Sequence, residues 1–249
     1  MLATGSNSLT GFRLSIRSGA DGFSFSVEST SGGTVIQTDR FPVSASSVAA
    51  DVLRQALQKP YLMDYRFQSV ELVAETPSAI VPLEHFNKSD MLAFYRLCFP
   101  AAAANGQCSV ADMQYQILTS VEAVMIFRLD QDVLRAVQEC YPDVKVCSAD
   151  ARQLEQLAAL QEKRPAPEER QQCDVYVRIA EHAFFSAVFR RSQMLYAASQ
   201  PAANDADRTF LLLGIWKALD LHAQRDVLHL EGASKELKKA LAEYILNIE

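Results

Sequence analysis

The first residues whose types could do chemistry form a glycine-containing turn at residues 17–22 (RSGADG). Turns of this composition can direct backbone N–H groups at phosphates, and a nearby carboxylate can hold the accompanying metal ion. Here Arg17 stands at the end of the strand, where that carboxylate would be needed. The Asp-Gly pair is also a strong signal for an ordinary hairpin. We therefore keep Ser18 and Gly19 only as remnant candidates for phosphate contact.

Two later turns could complete such a site. The turn at 180–183 (AEHA) contains no glycine, and Glu181 would repel a phosphate unless a metal ion lay between them. A pair of glycines after a strand would let the backbone lie against a nucleoside. Residues 228–233 (LHLEGA) contain only one glycine, Gly232. A strand-to-helix turn capped by Ser234 explains the same residues more simply. Gly232 is therefore the third remnant candidate.

The other reactive side chains form no recognised pattern. None of the four histidines lies in an HExxH motif, and the sequence has no GxSxG, GxGxxG or GxxxxGK[ST] segment. The five cysteines are odd in number and lack metal-binding spacing, which is typical of a reduced protein. We predict no catalytic residue, no metal site and no cofactor.

Composition and charge narrow the class of protein. Hydrophobic residues make up 49% and charged residues 22%, as in globular domains, and the net charge is −6. Without a basic stripe, nucleic acid is not expected as the main partner. The amino terminus lacks the features of a signal peptide, and no apolar run is long enough to insert into a membrane. We expect a cytoplasmic protein.

Hydrophobic alternation predicts three antiparallel strands at 14–17, 23–27 and 34–43, after a loose tail over residues 1–11. Ser46 or Ser47 is expected to cap a helix that ends near residue 58, and a strand follows at 69–75. The first half continues with a helix at 89–100, strands at 114–118 and 122–129, a helix at 130–140, a strand at 143–147 and a helix at 149–163.

The pattern restarts after residues 165–171, where two prolines among charged residues indicate a linker. The second half has strands at 174–180, 183–189 and 194–199, a helix at 205–219 that Asn204 or Asp205 caps, a strand at 227–231 and a helix at 234–246. Both halves begin strand–strand–strand–helix–strand, which is the order of a ribonuclease-H-like lobe. The predicted fold is α/β, with a first lobe over 12–164 carrying an insertion around 79–118, and a shorter second lobe over 172–249.

The periodicity also predicts which side chains are buried. The helix at 205–219 is expected to turn Phe210, Leu211, Leu213, Gly214 and Trp216 towards the core. The wider set of expected core residues is Phe23, Phe25, Leu53, Val73, Val177, Leu212 or Leu213, Trp216 and Leu230.

Four segments carry a resemblance to a known family: 14–27 (LSIRSGADGFSFSV), 81–84 (VPLE), 211–219 (LLLGIWKAL) and 226–231 (DVLHLE). From about residue 10 to residue 248 the chain resembles an uncharacterised Bacteroidetes family known only as a domain of unknown function. The resemblance implies two ribonuclease-H-like lobes in an actin-like ATPase arrangement, similar to the pilus-assembly protein PilM, and it implies no activity. Similar proteins continue past residues 246–248 into a last strand, which leaves the closing edge of the second sheet open.

Two functions fit these observations. The leading hypothesis is a non-catalytic scaffold or interaction protein, a degenerate ATPase that kept the actin-like shape, because the second turn lacks glycine. The alternative is a nucleotide-binding switch or ATPase that uses unusual residues in the same cleft. Residues 61–67 (YLMDYRF) are rich in aromatics, which favours a protein partner bound through Tyr61, Tyr65 and Phe67. The other interpretation is that this segment packs on its own core.

Overall fold

The computed structural model describes residues 9–100, 108–163 and 172–249. Its strands are β1 (Leu9–Gly19), β2 (Gly22–Ser29), β3 (Val35–Pro42), β4 (Tyr65–Ala74), β5 (Ser78–Pro82), β6 (Met113–Leu118), β7 (Ala123–Arg128), β8 (Lys145–Ser148), β9 (Cys173–Ile179), β10 (Ala183–Arg190), β11 (Gln193–Pro201) and β12 (Val227–Glu231). Its helices are α1 (Ala49–Leu57), α2 (Pro60–Asp64), α3 (Met91–Cys98), α4 (Gln131–Cys140), α5 (Ala149–Lys163), α6 (Asp205–Ala218) and α7 (Lys235–Ala242). The predicted α/β class is confirmed.

Two sheets repeat one strand order. The first is β3–β2–β1–β4–β8 and the second is β11–β10–β9–β12. In each sheet the opening strand, β1 or β9, pairs antiparallel with the strand that follows it and parallel with a later one. The predicted equivalence of these two central strands in two separate sheets is confirmed. A third sheet has the order β5–β7–β6, and its strand β5 was missed in the sequence.

The last residues of the chain extend the second sheet. Leu228 N–H donates to Asn247 O, and Glu249 N–H donates to Leu228 O, both at 2.9 Å. Ile248 bridges Leu228 in parallel. Residues 247–249 thus lie beside β12 at the edge of the second sheet. This is the place that β8 takes beside β4 in the first sheet.

Packing divides the described residues into two compact units that alternate along the sequence. The first comprises 9–76, 108–115 and 127–149, and the second comprises 77–100, 116–126, 150–163 and 172–249. Segments that the linear division assigned to the first lobe, including most of its insertion, therefore pack in the second unit. The predicted linker at 165–171 lies outside the described residues, as does most of the predicted tail; β1 already begins at Leu9, inside that tail. The linear lobe boundaries remain a prediction.

Each unit has its own apolar core. In the first unit the core centres on Leu14, Ile16 and Leu72 under α1 and α4. In the second, one cluster joins β9 and β12 to α6 and α7, and another joins α5 to β10. In the part of the chain that the structure describes, no helix is both long and apolar enough to cross a membrane.

The predicted helix starts are mostly correct. Asp130, Asn204 and Ser234 each accept a hydrogen bond from a backbone N–H of the first turn of α4, α6 and α7. The capping of α1 by Ser46 or Ser47 is wrong. Val48 occupies the cap position without a side-chain bond, because the hydroxyls of Ser46 and Ser47 pair with that of Ser44 instead.

The predicted core is also mostly correct, but the predicted inward face of α6 is wrong at two positions: Phe210 is 77% exposed, and Gly214 is exposed as well. Three further predicted core residues, Leu211, Leu213 and Leu230, are only partly buried. Leu212, Ile215 and Trp216 form the inward face of α6 at the i, i+3, i+4 spacing. Phe210 precedes Leu212 by two residues, a rotation of about 200° around the helix, which places its ring on the opposite face.

Candidate functional site

The first hairpin turn is bordered by carboxylates. Arg17 Nη1 donates to Glu75 Oε1 at 2.8 Å, and the Glu75 backbone N–H donates to Ser18 O at 2.8 Å. A Cβ atom placed on Gly19 would lie 3.0 Å from Asp21 Oδ1 and 3.3 Å from Glu75 Oε2. An anion at Gly19 would therefore meet two carboxylates, while the nearby guanidinium of Arg17 is already paired.

The second glycine of this turn has a packing role. Gly22 has φ +132°, and a Cβ atom on it would lie 2.3 Å from Phe41 O. β3 thus approaches the hairpin so closely that only glycine fits. Its presence needs no ligand to explain it.

An arginine holds the turn at 180–183 in the second unit through hydrogen bonds to its backbone carbonyls, a contact that we call the Arg208 brace. Ala180 N–H donates to Ala183 O at 2.9 Å and closes the turn. Arg208 Nη2 donates to Ala180 O at 2.9 Å and to Glu181 O at 2.8 Å. The guanidinium therefore fixes the carbonyl side of a turn that has no glycine.

This brace continues to the helix that follows Gly232. Arg208 Nη1 donates to Asp205 Oδ1 at 2.7 Å, and Ser234 Oγ donates to Asp205 Oδ2. The Ser234 hydroxyl and the Arg208 guanidinium lower the pKa of Asp205. One ion pair thus ties the 180–183 turn to the starts of α6 and α7.

Gly232 itself is required by its backbone. Its φ is +73°, and a Cβ atom would lie 3.0 Å from Ile179 O at the end of β9. Of the remnant candidates, Ser18 and Gly19 belong to the first unit and Gly232 to the second. Local geometry accounts for Gly232, and a nucleotide-binding role for the three residues stays a prediction.

The aromatic segment packs on the first unit's own core. Tyr61, Tyr65 and Phe67 are all partly buried. The Tyr65 ring lies 5.0 Å from Phe12 and 5.7 Å from Phe67, measured between centroids. Met63 is an outward-facing apolar side chain of the segment, at 84% exposure, and Asp64 and Arg66 are exposed as well. The segment therefore packs on its own core, as the second interpretation of the sequence expected. Contact with a partner through this segment stays a prediction.

A buried polar cluster in the second unit was missed from the sequence. Asp150, in the first turn of α5, is 7% exposed and accepts hydrogen bonds from Arg178 Nη2 and Ser199 Oγ. The Ser78 N–H donates to Ser199 Oγ at 3.0 Å. Burial raises the pKa of Asp150, and the opposing effects of Ser199 and Arg178 do not cancel this. The cluster joins β5, α5, β9 and β11, which are far apart in sequence.

His229 has protein partners on both ring nitrogens. Nε2 lies 2.9 Å from Asp174 Oδ1, and Nδ1 lies 3.1 Å from Glu249 Oε2. Its ring stacks on Tyr176 with 4.4 Å between centroids. Over residues 9–100, 108–163 and 172–249, no three His, Cys, Asp or Glu side chains are grouped to hold a metal ion.

The second unit also contains a pocket of about 640 Å³. Aliphatic and thioether side chains line it, contributed by β5 (Ile80, Pro82), by the approach to β7 (Val121, Ala123) and by the start of β11 (Met194, Leu195). Glu84 and Glu122 add two carboxylates. Its volume is in the range of about 300–1,000 Å³ that is typical of ligand pockets. No local pattern could reveal it, because its walls come from three separate segments.

Solved structures identify the class of fold. A protein of unknown function from Bacteroides thetaiotaomicron, with an actin-like ATPase fold, superposes with a TM-score of 0.78 at 24% identity, covering 100% of this chain and 93% of that one. The protein therefore has the actin-like ATPase fold. The PilM–PilN type IV pilus biogenesis complex matches with a TM-score of 0.46 and 13% identity, over 95% of this chain and 90% of that one. The cytoplasmic domain of EpsL from the Vibrio cholerae type II secretion system matches at 0.43 and 14%, over 95% and 97%.

Residues 6–248 match the family described as "Protein of unknown function (DUF3822)". Since the match spans nearly the whole chain, the protein belongs to this family. No curated protein sequence matches the chain.

Proposed function

We propose that this protein is a non-catalytic scaffold or interaction protein of the cytoplasm that has kept the actin-like fold and lost nucleotide chemistry. The observation that carries the proposal is the pair of carboxylates at Gly19. In an actin-like ATPase the first hairpin turn must meet phosphates with backbone N–H groups. Here Asp21 and Glu75 border Gly19, and a carboxylate and a phosphate charge about 4 Å apart, with no metal ion between them, repel by about 4 kcal/mol at an effective dielectric constant of 20; the Arg17–Glu75 pair offsets part of this.

The turn at 180–183 supports the same proposal. Side chains replace glycine at both central positions, Glu181 and His182, so the backbone cannot approach a phosphate as closely. Arg208, which could otherwise offset negative charge, is committed to Asp205 and to two backbone carbonyls.

The decisive experiment measures thermal unfolding with and without millimolar Mg-ATP or Mg-ADP, together with an assay for nucleotide in the purified protein. A ligand at 100 times its Kd stabilises a protein by about 2.7 kcal/mol, which corresponds to a rise of roughly 5–10 °C in Tm for a chain of this size. We expect no rise and no co-purified nucleotide. A clear rise in Tm, or nucleotide that co-purifies with the protein, would establish the nucleotide-binding switch instead.

We also propose that the first unit contacts a protein partner through the surface around Tyr61, Tyr65 and Phe67. Their rings are half-buried, so Met63 at 84% exposure would reach furthest into such a contact. In a cross-linked pull-down from the native host, Met63→Asp should lose a partner that wild type retains. Leu97→Asp, at a position 80% exposed in the second unit, is the matched control and should retain it. Equal recovery with both variants would exclude this surface.

A further inference from the structure

We propose that the pocket between β5 and β11 binds an extended peptide of a protein partner, in which an aliphatic side chain stands next to Lys or Arg. This inference rests on the proposed interaction function and names the chemistry of the partner. Nothing in the sequence pattern points to it. It follows from the strand edges, the lining and the charges of the pocket.

The pocket lies between two edge strands. β5 ends the sheet β5–β7–β6, and β11 ends the sheet β11–β10–β9–β12. The strands approach each other at one end, where Ser78 N–H donates to Ser199 Oγ at 3.0 Å. At the other end, Ile80 and Pro82 face the pocket from one side and Met194 and Leu195 from the other. Edge strands offer backbone groups to an added extended segment, which is a common mode of peptide recognition.

The interior of the pocket suits an aliphatic side chain. Val121, Ala123 and Ile80 present only hydrocarbon. Met194 adds a flexible thioether, which adapts to side chains of different shape. Burying an apolar side chain here would supply most of the binding free energy, and the strand edge would supply direction.

The polar groups of the pocket select a cation beside that side chain. The Glu84 side chain is 79% exposed, and Glu122 is exposed as well, so both carboxylates reach solvent at the pocket. His85 Nε2 lies 3.4 Å from Glu84 Oε1. His85 therefore faces the charge of Glu84 and not that of Glu122. A Lys or Arg flanking the inserted side chain would complement these charges, whereas an acidic neighbour would be repelled.

The backbone of Glu122 fixes where its carboxylate stands. Its φ of 51° and ψ of 42° place it in the left-handed region, which glycine would occupy with less strain. The conformation is held by a hydrogen bond from Leu83 N–H to Glu122 O at 2.9 Å. Arg191 and Asp220 also have a positive φ at turns elsewhere, so this conformation positions Glu122 without by itself marking a site. Here the strain fixes a carboxylate beside an apolar pocket.

The test uses the full chain and a display library of random dodecapeptides. Selected peptides should be enriched in Leu, Ile, Val or Met next to Lys or Arg. A synthetic peptide of the enriched pattern, measured by fluorescence anisotropy, should lose affinity by about tenfold or more with Met194→Trp, which fills the pocket. Glu84→Gln with Glu122→Gly should weaken it about threefold to tenfold and flatten its salt dependence. Met63→Trp, on an exposed site in the first unit, should have no effect.

The outcomes separate the possible occupants. No enrichment, enrichment of acidic peptides, or binding that Met194→Trp leaves unchanged overturns the proposal, provided that the variant keeps the wild-type Tm. If the wild type is a dimer in sedimentation and Met194→Trp makes it monomeric, the occupant is a second copy and the peptide proposal is wrong. If the library yields no enriched peptide but the pull-down finds a partner that Met63→Asp loses, only the proposal for the pocket is wrong. If Mg-ATP raises the Tm of the protein, the proposed scaffold function is wrong, whatever the peptide-binding measurements show.

Discussion

At the scale of single residues, the glycines show how local geometry can resemble a ligand site. Gly22, Gly33 and Gly232 all have positive φ, but for different structural reasons. Gly22 admits a neighbouring strand, Gly33 has no atom within 4 Å of its missing Cβ, and Gly232 packs against Ile179 O. The same residue type that binds phosphate in an ATPase here serves turns and close strand approach.

Gly33→Ala and Gly232→Ala separate the backbone cost from the packing cost. Their φ values of +64° and +73° are nearly equal, so the left-handed conformation should cost both variants about 1–2 kcal/mol. Gly232→Ala should cost about 1 kcal/mol more, because its Cβ would crowd Ile179 O at 3.0 Å. Urea denaturation of the two variants measures the difference. Equal losses would mean that the β12–α7 turn does not press on β9.

Asp150 should make stability depend on pH in a defined direction. Burial raises its pKa in the folded state above the ordinary value, so the folded protein binds this proton more tightly than the unfolded chain does. Stability relative to Asp150→Asn should therefore fall as the pH rises from the unfolded pKa through the raised folded pKa, and then level off. Denaturation of both proteins between pH 4 and 8 gives the difference. A difference that grows in favour of wild type would mean that Arg178 outweighs burial.

At the scale of elements, caps and braces decide how the turns are held. Asn204 and Ser234 could be recognised as caps from the sequence because a cap acts within three residues. The Arg208 brace could not, because it joins a helix to a hairpin 27 residues earlier. The Arg208 side chain is 12% exposed.

Arg208→Ala should therefore destabilise the protein by about 1–2 kcal/mol, since it removes charge-assisted hydrogen bonds to the carbonyls of Ala180 and Glu181 and leaves Asp205 without its cation. Arg135→Ala is the matched control. It removes an i,i+3 ion pair with Asp132 whose side chains are both about two-thirds exposed, which should change stability by less than about 0.5 kcal/mol. Both values come from the shift of the urea midpoint. Similar losses of stability for the two variants would mean that the contacts of Arg208 do not stabilise the turn.

Helix α6 gives a second element-scale prediction. Trp216→Ala should cost about 3–5 kcal/mol because Trp216 is 7% exposed and packs in the second unit's core. Phe210→Ala on the same helix should cost less than about 0.5 kcal/mol, because its ring is 77% exposed. Thermal unfolding of the pair checks the face of the helix. Reversed magnitudes would show that α6 is rotated.

At the scale of the whole molecule, two repeated strand orders build two separate apolar cores. Leu53 is fully buried in the first unit and Leu228 in the second. Each change to alanine should cost about 2–5 kcal/mol. In native-state hydrogen exchange, Leu53→Ala should lower protection mainly in β1, β2 and β4, and Leu228→Ala mainly in β9, β10 and β12. Uniform loss of protection with either variant would mean that both cores unfold as one cooperative unit.

The sequence by itself determined most of the elements and their duplicated order, but not β5 or α2, because alternation, helical periodicity and caps act between near neighbours and are weak in short segments. It also determined the absence of the usual carboxylate at residue 17 and of glycine in the turn at 180–183. Only the tertiary structure decided that Glu75 pairs with Arg17, that Phe210 faces outward, and that β5 and β11 border a pocket with two carboxylates. These features join residues that are distant in sequence, and such contacts depend on how the sheets and helices pack.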